Sequence, residues 1–443
     1  MESDLRNKID NVLNLLNKES ILDYEIFASH YDVIVAESKL SKPSWLNRSN
    51  EAGISIRLLV NGSMGFAYAP EPSDKLVKAA ITSATYQYKD KYIQIPLPQG
   101  TYQNISTFDP KTFRTSSEDC ISQAIQLEMS ARDADSRITQ IRRSSFSRSN
   151  IKKHIVNSNG IDQSGQATFV SASIQTAAEN NDEMQTGYEF GVSHKISEID
   201  VFPIGKAAAL KAVSMLGARR IKTMKVPLLF DNSTTSAILG FISYAFIGEN
   251  ISKDKSFMKG KLGTRCFSEE INLWDNPLDD RALDAMPFDG EGIPSQIIPL
   301  VENGVVRSFL YDSYWGSVAE MPSTGSSRRD GFRMRPVLGI RHLCMKPGRE
   351  DMADHLKGIK HVLKITDIMG MHTADPISGD FSIGINGYWL KNGQNVYPVR
   401  EAVISGNFYD IFTKVLAIGN DLREFGRVKC PSILIDSIDV SSK

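Results

Sequence analysis

Apolar residues near the start of the chain recur every three to four positions. Leu5, Ile9, Val12, Leu13 and Leu16 share one face, which predicts an opening helix. The pattern then changes. Tyr24–Ser38 and Ala52–Ala69 are rich in β-branched and aromatic residues, which predicts strands, and Asn61-Gly62 divides the second run as a hairpin turn. A helix is expected from Ser73. Another is expected near Thr115, where Thr115 and Glu118 stand at capping-box spacing ahead of Ile121, Ile125 and Met129. From Ile138 to His194 polar and apolar positions alternate, with turn signals at Asn159-Gly160 and Ser164-Gly165, which predicts an antiparallel meander. A helix over Ile204–Leu216 stops at Gly217, and the basic, polar stretch Ala218–Lys225 marks a domain boundary.

The second half has another texture. Val226–Phe230 reads as a strand, with Asp231 or Ser233 as the cap of the apolar helix that follows. After Lys261 short strands are punctuated by Gly, Asn, Asp and Pro, and one further helix stands out near Arg349–Ile359. The expected fold class is α+β. Residues 1–220 form an N-terminal domain of helices and antiparallel sheet, and residues 225–443 a mostly antiparallel, curved β domain with few helices.

Composition narrows the function. Lysine and arginine total 51 against 52 acidic residues in 443, a net charge of −1, which argues against a nucleic-acid binder that works by neutralising phosphates. The most apolar stretch, Ser236–Gly248, is too short for a bilayer, which needs about 20 residues. The charged opening residues lack the apolar core of a secretion signal. No membrane partner and a cytoplasmic location are therefore expected. Cys120, Cys266, Cys344 and Cys430 stand far apart, without a CxxC pair, and read as reduced buried thiols.

A series of short segments in the second half, in order, resembles the TldD/PmbA metallopeptidase family, once called modulators of DNA gyrase. It runs through Phe230-Asp231, Ser256-Phe257, Asp275-Asn276-Pro277, Phe288-Asp289-Gly290-Glu291-Gly292, Glu302-Asn303-Gly304 and Ser323-Thr324-Gly325. It continues through Gly379-Asp380-Phe381-Ser382, Asn386-Gly387-Tyr388-Trp389, Gly406-Asn407, Gly419-Asn420-Asp421 and Pro431-Ser432. The resemblance implies a subunit paired around an internal cavity. In the family's catalytic TldD branch the apolar helix carries HExxxH, whose two histidines hold zinc while the glutamate serves as general base. Here Phe241, Ile242 and Phe246 occupy those three positions, which points to the PmbA (TldE) branch. Cys430, beside the closing Pro-Ser strand, is given no ligand role.

The resemblance thus implies a chain with neither cofactor nor catalytic residue of its own. Zinc is expected in a TldD-like partner subunit, and unfolded peptide is the substrate of the pair. The alternative is a self-sufficient homodimer that binds peptides or regulates another protein without peptidase activity. Candidate cavity or peptide contacts are Glu249, Asp289, Glu291, Arg328, Arg329, His372 and Asp380. Each has a plainer reading. Glu249 is a solvated carboxylate near a helix end, and Asp289 and Glu291 are turn-formers between glycines. Arg328, Arg329, Arg333 and Arg335 either fork onto carboxylates or lie in a solvated loop. His372 and Asp380 flank a surface turn. His342 and Cys344 share a strand, but two ligands do not make a metal site.

Overall fold

The computed structural model describes residues 2–442. Helix α1 (Glu2–Lys18) buries Leu5, Ile9, Val12 and Leu16, the face that the spacing predicts. Strands β1 (Tyr24–Lys39) and β2 (Lys42–Val60) turn through Leu40 and Ser41, both at positive φ. β2 thus begins well before Ala52. Residues 42–50 are exposed, so backbone pairing with β1 makes them a strand, and no burial pattern announces it. β3 (Ser63–Ala69) follows the Asn61-Gly62 turn, and Ser73 caps α2 (Asp74–Thr85).

A short helix, α3 (Pro110–Arg114), uses Thr115 as its C-terminal cap. The capping box of α4 (Ser117–Arg132) is therefore Ser116 with Asp119, one residue later than the expected Thr115 and Glu118. Strands β4 (Ile138–Asn157), β5 (Asp162–Asn180) and β6 (Glu183–Ser193) form the meander. Ser164-Gly165 is not a turn but lies inside β5. A side chain at Gly165 would meet the Met286 sulfur at 2.2 Å, so the glycine serves a close approach of the second domain. Helix α5 (Val201–Ser214), capped by Asp200, closes this half.

The six strands form one antiparallel, curved sheet in the order β3-β2-β1-β4-β5-β6. Period-two alternation gives it two apolar faces. Ile26, Ala28, Ile34 and Ala36 of β1 point to α1, α2, α4 and α5. Phe27 and Ile155 point the other way, onto Met286, Phe288, Ile293 and Phe332 of the second domain. Each such side chain contributes about 1.5–3 kcal/mol by leaving water, so the joint between the domains is a core and not a loose contact.

β7 (Met224–Phe230) opens the second domain, and Asp231, not Ser233, caps α6 (Asn232–Ile242). A 3-10 turn (Ser243–Phe246) and α7 (Gly248–Ser252) follow. β7 pairs in parallel with His361–Met369 and antiparallel with Ile433–Ser442. Asp380–Lys391 and Gln394–Asn407 extend this sheet, and the pairing of Ala402–Ile404 with Val440–Ser442 closes it into a small barrel. A second sheet of short strands is built around Leu273–Asp275 and Leu343–Met345. The helix expected over Arg349–Ile359 is a single turn, Met352–His355, while α8 (Ser313–Ala319) and a turn of helix at Phe408–Thr413 were not legible. Pieces this short show no periodicity, and capping by Asp312 and Asn407 sets them. Among the described residues no helix is long and apolar enough to cross a membrane.

Candidate functional site

A network of buried carboxylates and guanidiniums forms where the N-terminal sheet abuts the loops of the second domain. Glu25 of β1 is wholly buried and accepts from two guanidiniums. Arg57 of β2 donates through Nε at 3.0 Å and again through Nη2, and Arg329 donates through Nη1 at 2.6 Å. Arg57 also reaches Glu291 Oε1 at 3.2 Å, while Glu291 Oε2 takes the backbone N–H of Ser313 at 2.9 Å. The sheet thus supplies Glu25 and Arg57 from adjacent strands, and the loops supply Glu291 and Arg329.

Burial alone would raise the Glu25 carboxyl, but Arg57 and Arg329 outweigh it and hold it below its ordinary value. The two arginines are not equivalent. Burial weakens both charges. Arg57 lies between Glu25 and Glu291 and ends above its ordinary value, whereas Arg329 has one carboxylate, feels Arg57, and falls to about 10. Its guanidinium also stacks 4.3 Å over the Phe27 ring.

Asp289 accepts from the backbone N–H groups of Glu291, Ile293 and Ser327 at 2.9–3.0 Å, which folds the Asp289–Gly292 turn. Burial, and then the neighbouring Glu291 charge, push its carboxyl up to about 7. Asp312, the N-cap of α8, is raised to about 7 by the same two causes in the same order. A carboxyl with a folded value above its ordinary one near 4 binds a proton in the folded state that the unfolded chain has released. Stability therefore falls as pH rises between about 4 and 7. Asp312→Asn keeps an equivalent N-cap and removes that penalty. The variant is expected to gain up to about 4 kcal/mol at pH 8 in urea unfolding, with the gain largely gone at pH 4, since the carboxyl rises from near 4 to about 7 and one pKa unit is worth about 1.4 kcal/mol. A pH-independent difference would contradict this account.

Of the sequence candidates, Asp289, Glu291 and Arg329 come together in this network, with Arg328 at its edge. The Arg329 side chain is fully buried, so it is not part of a solvated loop. Arg333 pairs with Glu51 at 2.5 Å on the surface, and Arg335 lies 5.2 Å over the Phe66 ring. Glu249 is not on the apolar helix. Extended backbone at Ile247 ends that stretch, and Glu249 sits on α7, bonded to Lys253 at 2.7 Å. His372 and Asp380 lie apart from the network. Both are exposed, and Asp380 is held by Asn407 at 2.8 Å and Ser378 at 2.9 Å. Sequence reasoning missed Glu25, Arg57 and Asp312. A charged residue at an inward position of an alternating strand was the available signal for the first two.

The apolar helix positions are part of the core. Phe246 is wholly buried and stacked on Phe267 at 6.3 Å, Ile242 is buried, and the Phe241 ring lies 5.0 Å from Phe408. None of the three can ligate a metal. Among the described residues no group of three or more His, Cys, Asp or Glu is placed to hold one. His342 lies buried with Nε2 3.4 Å from Glu424, and burial lowers the imidazole to about 4 while raising Glu424 to about 7. The neighbouring Asp279 carboxylate is engaged by Lys429. The residues present do not fit zinc.

A curved antiparallel sheet backed by four helices, locked by a buried ion network to a domain with a small closed barrel, defines the class of protein. The chain belongs to the PmbA/TldD metallopeptidase family. Models of the PmbA/TldA metallopeptidase match domain 1 over residues 24–84, the central domain over 111–216 and the C-terminal domain over 223–442. A Haemophilus influenzae protein named "Metalloprotease PmbA homolog" is 25% identical over 447 residues, covering 99% of this chain and 96% of its own. An uncharacterized protein of Methanocaldococcus jannaschii is 27% identical, covering 96% and 98%. A "Zinc metalloprotease TldD homolog" of Saccharolobus solfataricus is 25% identical over 231 residues, about half of each chain. Among solved structures, a putative modulator of a DNA gyrase from Thermotoga maritima superposes with a TM-score of 0.90 at 25% identity, covering 98% of this chain and all of its own. TldE from Thermococcus kodakarensis gives 0.90 at 21% with the same coverage, a likeness of fold.

Proposed function

We propose that this chain is the zinc-less subunit of a two-component metallopeptidase that degrades or processes unfolded peptides. It would act in the cytoplasm and pair with a TldD-like subunit that carries the zinc. The observation that carries this reading is the apolar packing of Phe241, Ile242 and Phe246 where the catalytic branch of the family has HExxxH. Zinc hydrolysis needs converging imidazole and carboxylate ligands with one position left open for water, and this helix offers a core instead. The order of the pair's steps lies outside this chain. Its contribution is shape, with a rigid two-domain body that closes one side of a chamber.

The test is unfolded-casein degradation by this chain, by a TldD-type subunit, and by their mixture, each with and without a zinc chelator. Activity is expected only in the mixture and is lost with the chelator. Chelator-sensitive activity from this chain alone would overturn the proposal, and so would a mixture no more active than the TldD-type subunit by itself.

A further inference from the structure

Between the N-terminal sheet and the loop at residues 283–286 lies a cavity of about 190 Å³, whose ion pairs are no closer than 3.6 Å. Its floor is apolar, formed by Ile151, Ala167, Phe169 and Met286. Its polar groups are Lys153, Arg427, Asp284, Asp330 and the Tyr31 hydroxyl, with Arg328 in the adjoining pocket. Lys153 Nζ uses one proton, on Arg329 O at 3.0 Å. Asp284 meets Arg328 at 3.6 Å, and Asp330 meets Arg328 at 3.6 Å and Arg427 at 3.7 Å, all beyond hydrogen-bond distance. Arg328 Nε is buried without a partner. Buried polar groups are ordinarily hydrogen-bonded, and the Glu25 network a few residues away shows how completely this joint can satisfy them. Here cations and anions instead line one space.

We propose that this cavity binds a free α-amino acid with an apolar side chain, of the leucine, methionine or phenylalanine class. Lys153 and Arg427 take the carboxylate, Asp284 and Asp330 take the ammonium, and the side chain lies on Phe169 and Met286. The pairing of both charge signs selects a zwitterion over a simple anion or cation. The space is far larger than the roughly 10–15 Å³ that one water needs by the same measure, so it has room for a small organic molecule. The mouth is at Asp330, whose side chain is 66% exposed, and Asp284 lies deeper at 18%. Such molecules are what peptide hydrolysis releases. That link rests on the subunit reading, while the binding itself does not.

The test is calorimetric titration of the full-length chain with L-leucine, with L-leucinamide, which lacks the carboxylate, and with 4-methylpentanoate, which lacks the ammonium. L-leucine is expected to bind, and each analogue to bind at least about tenfold more weakly, since a charge-assisted hydrogen bond is worth at least that factor. Asp330→Asn and Arg427→Gln, whose side chains are exposed and whose mutual pair at 3.7 Å contributes less than about 1 kcal/mol to folding, are expected to weaken L-leucine at least about threefold each. Equal affinity for 4-methylpentanoate would make this an anion site and overturn the proposal. No binding of L-leucine, L-methionine or L-phenylalanine up to about 10 mM would mean the cavity holds water only. Undiminished binding to both variants would place the amino acid elsewhere.

Discussion

Replacing Glu25 with glutamine is expected to cost about 3–5 kcal/mol of folding stability, the range for removing one partner of a buried ion pair. The substitution keeps the shape and leaves Arg57 and Arg329 facing each other without the carboxylate that both use. Arg333→Gln, which removes an exposed pair with Glu51, is the control and should cost less than about 1 kcal/mol. Urea unfolding at pH 7 separates the two outcomes. Similar small losses in both variants would mean that the buried network holds the domains no better than a surface pair does.

The same network sets the pH response, with two opposite signs. Glu25 has a lowered carboxyl, so its contribution is present above the ordinary value near 4 and is lost as pH falls through its folded value. Asp289 and Asp312, raised to about 7, weaken the fold as pH rises from about 4 to 7. Maximum stability is therefore expected on the acidic side of neutral, and a shallower loss of stability from pH 4 to 7 in the Asp312→Asn variant, with the Asp289 part remaining, would be its signature.

Phe246→His is expected to cost about 3–5 kcal/mol, as large-to-small changes of buried phenylalanines do, with burial of an imidazole added. The Phe246 ring is wholly buried and packs on Phe267, and an imidazole there has no partner. Writing the full motif into this chain as Phe241→His, Ile242→Glu and Phe246→His is expected to give a poorly folded protein that binds no zinc. Thermal unfolding and a chromophoric zinc assay check both parts. A folded triple variant that retains one zinc per chain would show that the backbone here still offers a metal-binding geometry and would overturn this account.

Much of the N-terminal half was legible. The helical spacing in α1, the alternation in β1, β4 and β5 and the Asn61-Gly62 and Asn159-Gly160 turns are local signals, and the structure repeats them. What failed was also local. Ser164-Gly165 has turn composition, but its glycine admits the Met286 sulfur, a tertiary demand that looks the same in sequence. Residues 42–50 carry no burial pattern because pairing alone makes them a strand. The candidate site was half visible. The glycine-punctuated Asp289–Gly292 segment and the arginine cluster stood out, but their partners Glu25 and Arg57 lie more than two hundred positions away.

By itself the sequence determined the α+β class, the family, and the apolar run that holds Phe241, Ile242 and Phe246, because these rest on residue identity and short-range order. Tertiary structure alone decided that Arg329 is a fully buried, hydrogen-bonded ion-pair partner while Arg328 meets its carboxylates only at 3.6 Å, and that the charges around Lys153 share a cavity. Burial and long-range pairing decide whether a charge is solvated, neutralised or left free. They depend on which distant segments the folded chain brings together, and no local pattern records that.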